Sequence, residues 1–157
     1  MRYPERLIIS AVLICSIAIP AVAWAAEGDG ILGVWLTEGR DAEIEIYSCG
    51  NKYCGKILWM NEPNYSAEDR EGTPGERKLD LRNPNPSLRH QTILGMQLMR
   101  NFAYTGDNRW TDGMVYDPES GHTYKATMSL VTHNQLHLRG YIIIPLLGRT
   151  STWTRIN

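Results

Sequence analysis

Cys49 and Cys54 enclose the tetrapeptide Gly50-Asn51-Lys52-Tyr53, and residues of alternating character run outward from both. Few folds accept such a segment, because it specifies a β-hairpin and with it an antiparallel sheet. Placing the cysteines opposite each other pairs Tyr47 with Lys56, Ile46 with Ile57, Glu45 with Leu58 and Ile44 with Trp59. Side chains alternate along a strand, so Ile44, Ile46, Ile57 and Trp59 share the predicted core face, while Glu45, Tyr47, Lys56 and the sulfurs share the other. Only Leu58 breaks the pattern. A Cys49–Cys54 disulfide closing so short a loop stabilises the fold by about 2 kcal/mol on the loop-entropy model. Two reduced thiols and half of a zinc site are the alternatives, and no second cysteine pair follows to complete a zinc site.

The N-terminus predicts the compartment in which such a bond forms. Arg2 and Arg6 precede an apolar run over 7–19, followed by Pro20 and small residues at Ala21, Ala23 and Ala25. This is the layout of a secretory signal peptide, residues 1–25, with cleavage after Ala25 or, alternatively, after Ala23. The rival is an uncleaved anchor helix, since residues 7–26 are just long enough to cross a bilayer. Cys15 lies inside the leader and is lost with it, leaving two cysteines suited to an oxidising compartment, periplasmic or secreted. Residues 26–157 then suffice for one domain. With a net charge of −1 and no basic block, nucleic acid is not an expected partner.

Beyond the leader the chain alternates in short runs broken by Gly, Pro, Asn and Asp, which predicts an all-β architecture. Eight strands are expected, over 31–37, 42–49, 53–60, 92–98, 110–117, 122–130, 136–142 and 149–155. The fourth competes with a helix, because Leu94, Leu98 and Phe102 also fit one helical face. Residues 61–90 interrupt this meander. They are polar, carry Pro63, Pro74, Pro84 and Pro86, and form either a lid or a solvated insertion.

Several motifs add to this reading. Gly33-Val34-Trp35 near the start and Trp153-Thr154-Arg155 near the end are similar to the signature of lipocalin-like barrels. Cys49-x4-Cys54-Gly55, Asp80-x-x-Asn83-Pro84, Trp110 to Pro118 with Gly121-His122-Thr123-Tyr124, Arg139-Gly140-Tyr141 and Gly148-Arg149-Thr150 accompany them. Over residues 31–155 the chain resembles the exported bacterial family known as domain of unknown function 2147. The resemblance implies a single antiparallel eight-stranded up-and-down β-barrel of the lipocalin-like, calycin type. It also implies structural roles for Gly33, Trp35, Trp153 and Arg155, with Arg155 covering the Trp35 indole at the closed end. By analogy with lipocalins it implies a small apolar ligand, and it brings no reaction with it.

Closing eight strands removes exposed sheet edges and leaves an interior that side chains fill or one small ligand occupies. Tyr124, Ala126, Met128 and Leu130 share one face of the sixth strand, and Leu136, Leu138, Gly140 and Ile142 one face of the seventh. The small Ala126 and Gly140 and the adaptable Met128 leave room. Trp59, Tyr124, Met128 and Leu138 are therefore the candidate lining residues of a ligand site, with a filled core as the alternative.

Catalytic signatures are scarce. His133 and His137 on one strand stand roughly 13 Å apart, too far to share a metal ion. No hydrolase, zinc-protease or phosphate-loop motif occurs, so no metal and no cofactor is expected. Asp117, His122 and Tyr124 beside one turn are the residues an enzyme acting on a small molecule would use, as a third reading behind two binding roles. Ile142, Ile143, Ile144, Leu146 and Leu147 form an apolar run, interrupted only by Pro145, where a turn is expected. The leading reading is a barrel that binds a lipophilic molecule. Its rival is an interaction module that presents the 142–147 loop to an envelope protein or a membrane surface.

Overall fold

The computed structural model describes residues 27–156; the predicted leader lies outside the described residues. Eight antiparallel strands follow one another around a closed barrel: β1 (Gly33–Leu36), β2 (Ala42–Cys49), β3 (Lys52–Met60), β4 (Gln97–Gly106), β5 (Arg109–Asp117), β6 (His122–Thr132), β7 (Gln135–Tyr141) and β8 (Arg149–Ile156). β8 pairs back onto β1, with Trp35 opposite Arg155, so no sheet edge remains open. Among the described residues no helix is long and apolar enough to cross a membrane.

The hairpin forms with its disulfide, but in a different register. Cys49 pairs with Lys52, Tyr47 with Cys54 and Ile44 with Ile57, so the turn is the two-residue Gly50-Asn51. Gly50 at φ 73° adopts the left-handed backbone that a tight, strand-matched turn needs at its first position. The sulfurs still meet, joined across the ladder diagonal with Cα atoms 5.9 Å apart. Sliding the pairing by two residues keeps every side chain on its face, which is why the core face survived the error in register.

The exception is Trp59. Between Ile44↔Ile57 and Glu43↔Trp59 the register shifts, leaving Leu58 as an extra residue of a β-bulge. Beyond the bulge the faces exchange: Trp59, expected to line the interior, pairs with Glu43 and is 41% exposed, while Met60 takes the inward position opposite Ala42. The fourth strand is likewise corrected, from 92–98 to Gln97–Gly106. Its pairing with β3 shifts twice and Asn101 takes φ 66°, which buries Leu98 and Met99 in succession and erases the alternation.

The turns at 50–51, 107–108 and 133–134 lie at one end with the 3-10 helix Glu27–Ile31, and this end is filled. Trp35, Ile31, Ile46, Phe102, Trp110 and Leu136 are buried there. The Trp35 indole donates to Ile31 O at 2.9 Å, and Arg155 lies over the indole ring at 4.2 Å. Gly33 is required beside them, because it sits at φ 131° and a Cβ would stand 2.7 Å from the Arg155 guanidinium.

Candidate functional site

The other end of the barrel is open. The connections 37–41, 61–96, 118–121 and 142–148 all emerge there, and a cleft of about 1610 Å³ opens among the first three. Its apolar lining comes from the ends of five strands: Ile44 on β2, Ile57 and Met60 on β3, Leu98 on β4, Val115 on β5 and Trp153 on β8. Strand alternation directs these side chains inward, and the bulge at Leu58 brings Met60 into the set. Ser151, two residues before Trp153 and on the same face, accepts the indole N–H at 3.0 Å and keeps its own hydroxyl proton to offer. The cleft thus has an apolar floor with the Ser151 hydroxyl beside it and a strongly charged rim that includes Glu38, Asp41, Glu62, Asp69, Lys78 and Arg149.

None of the four candidate lining residues borders this cleft. Trp59 turns outward for the reason given. Met128, opposite Trp110, and Leu138, opposite Met128, are buried in the packed core. Tyr124 is half-buried against His122, their rings 6.4 Å apart. Ala126 is fully buried in the same core cluster as Trp110, Phe102 and Trp153, whereas Gly140 is half-buried, with only Tyr124 Cβ within 4 Å of where its own Cβ would stand.

The segment 61–96 is an organised wall of the cleft, joined by bridges between Asn64 and Arg77 and between Leu79 and Thr92. Asp80 is its anchor. This fully buried carboxylate accepts from the Tyr116 hydroxyl and from the Asn83 amide, each at 2.6 Å, clamping the segment to β5. Burial first, and then the bond to Asp80, raise the Tyr116 phenol far above its usual range, so it stays protonated and donates. Arg82 extends the clamp by donating to Glu119 O in the turn between β5 and β6. Tyr65, itself buried, accepts from Leu79 N at 3.0 Å. A buried acid paired with an aromatic 36 residues away gives no local sequence signal, although Asp80-x-x-Asn83-Pro84 marks the place.

Asp117 and His122 are cross-strand partners, and the His122 and Tyr124 rings lie 6.4 Å apart. The Asp117 carboxylate accepts from Glu119 N and Ser120 Oγ, capping the turn, and of the three only Asp117 borders the cleft. Among the described residues no three His, Cys, Asp or Glu side chains are grouped to hold a metal.

The 142–147 loop lies beyond the end of β7. Ile142, Ile143, Leu146 and Leu147 are each more than three-quarters exposed, and Ile144 nearly half.

The fold has a counterpart among solved structures. Protein HP1028 from Helicobacter pylori, described as belonging to the lipocalin family, superposes with a TM-score of 0.65 over 81% of this chain and 83% of its own, at 19% sequence identity. At that identity the likeness establishes the fold. Comparison with curated proteins finds no similar sequence. The family model for uncharacterised proteins conserved in bacteria, DUF2147, matches residues 33–155, and the chain belongs to that family.

Proposed function

We propose that this protein binds a small lipophilic molecule with one polar end in the cleft at the open end of the barrel, and that it does so outside the cytoplasm. The observation that carries the reading is the division of the barrel: one end is filled by large side chains, while the other keeps a cleft with an apolar floor, a charged rim and the Ser151–Trp153 pair within it. The ligand's apolar body lies against Ile44, Ile57, Met60, Leu98 and Val115, where each buried CH₂ contributes roughly 0.8 kcal/mol. Its polar end meets Ser151. The Cys49–Cys54 disulfide supports a periplasmic or secreted location, as does the leader-like N-terminal sequence.

Organic extraction of natively purified protein, followed by mass spectrometry, is expected to recover an apolar molecule in near-stoichiometric amount. Palmitate binding, followed by titration calorimetry, is expected to saturate in wild type and to be lost in Met60→Trp, which fills the cleft from a half-buried position. Repeated recovery of empty protein that also fails to bind palmitate or a neutral lipophile would sink the reading.

A further inference from the structure

We propose that the cleft selects lipophiles whose polar end is positively charged, an alkylammonium or a related cationic amphiphile. The inference rests on the reading of the cleft as a lipophile site and adds the class of polar end that it takes.

The rim is acidic out of proportion to the chain. Eight carboxylates and four cations border the cleft, an excess of four negative charges where the whole chain carries a net −1. Two of those cations are already committed. Lys78 Nζ stands 3.5 Å from Glu62 and 3.7 Å from Asp69, so one cation serves two acids. Arg82 lies 3.6 Å from Glu71 and donates to Glu119 O. The Ser66 N–H holds the Asp69 carboxyl below the usual carboxylate range, so it is ionised at neutral pH.

What remains is Glu38, Asp41, Glu68, Asp117 and Glu119 against Arg70 and Arg149. Asp41 accepts from Thr37 Oγ1, and Asp117 accepts from Glu119 N and Ser120 Oγ; these are neutral donors, which leave both negative charges in place. The Glu38 and Glu68 side chains have no hydrogen bond or ion pair among the described residues. Arg149, two residues before Ser151 on the face that Trp153 shares, is the feature that would favour a carboxylate. It is outweighed on its own side of the mouth, because the 37–41 connection leaves β1, the strand beside β8, and brings Glu38 and Asp41 to the rim. An apolar floor of low dielectric beneath an acidic rim focuses the field into the cleft. A ligand whose chain lies on Ile57, Leu98 and Val115 therefore gains from an ammonium at its upper end and is repelled through a carboxylate there. Palmitate then binds through its chain, and less tightly than the amine of the same length.

Calorimetric titration with decylammonium, 1-decanol and decanoate at pH 7 tests this, using the chain from Ala26 onward; residues 27–156 contain every strand of the closed barrel. In 10 mM salt decylammonium is expected to bind at least about tenfold more tightly than decanoate, with decanol between them, and the gap should shrink in 0.5 M salt. Glu38→Gln with Glu68→Gln should weaken decylammonium about fourfold and leave decanol binding and the melting temperature unchanged, since neither carboxylate is used to hold the fold. Decanoate binding as tightly as decylammonium, while decanol still binds, would overturn the charge selection and leave the lipophile site standing. Equal losses of decylammonium and decanol in the double variant, or decylammonium binding that survives Met60→Trp, would overturn it too, the latter by placing the cation on the outer surface. Failure of all three probes to bind would overturn the site itself and the selection with it.

Discussion

Arg155→Ala removes the clamp across the closed end, and the structure allows its effect to be worked out. The guanidinium lies 4.2 Å from the Trp35 ring centre and donates to Gly30 O and Leu32 O, each at 2.6 Å, and to His133 O at 2.8 Å. The cation over the indole contributes about 0.5–2 kcal/mol. Bonds from a charged donor are worth about 1.5–3 kcal/mol, but water replaces the donor at the exposed Gly30 and His133 carbonyls, so only the part-buried bond to Leu32 counts in full. The expected loss is about 3 kcal/mol. For a domain of this size that lowers Tm by roughly 10 °C, readable by circular dichroism. Arg155→Lys keeps a cation near the ring but cannot reach three carbonyls in one plane, so about half the loss should be recovered. Because the clamp lies at the end opposite the cleft, palmitate binding at 25 °C should be unchanged. A Tm drop below about 2 °C, or identical drops in both variants, would show that Trp35 and the 3-10 helix hold this end without Arg155.

Replacing Cys49 and Cys54 with serine should lower stability by about 2 kcal/mol without unfolding the barrel, and thiol labelling should find no free cysteine in the chain from Ala26 until reductant releases two. Asp80→Asn keeps the volume but weakens the bonds to Tyr116 and Asn83; limited proteolysis should then cut within 61–96 several times faster, and Tyr116→Phe should do the same more weakly. Stability should fall in alkali. The Tyr53 phenol is pushed up to about 12 by burial and then by its bond to Asp29, and Tyr116 is raised further by burial and Asp80. An unfolded tyrosine ionises near pH 10, so from about pH 10 upward the unfolded chain loses protons that the native barrel keeps, and stability declines as pH rises through the folded values. Urea midpoints between about pH 9 and 12 should show this slope, reduced in Tyr53→Phe.

Much of the architecture was legible because strands write a period of two into the chain. Seven of the eight strands were placed within a few residues, the closed order follows from consecutive hairpins, and Cys49 and Cys54 announced their bond. The apolar exposure of 142–147 was legible too, as a hydrophobic run in a turn. The binding end was not. Which half of a barrel is filled depends on side chains that meet across it, and Trp35, Trp110 and Trp153 are far apart in the chain although they share one core. Single-residue irregularities decided the rest: the bulge at Leu58 exchanges Trp59 for Met60, and the shifts along β4 bury Leu98 beside Met99. Asp80 and Tyr116 form a buried pair only once 61–96 is folded against β5. Periodicity is a local property and survives in sequence; cavities, bulges and long-range hydrogen bonds are made by closure, and only the tertiary structure decides them.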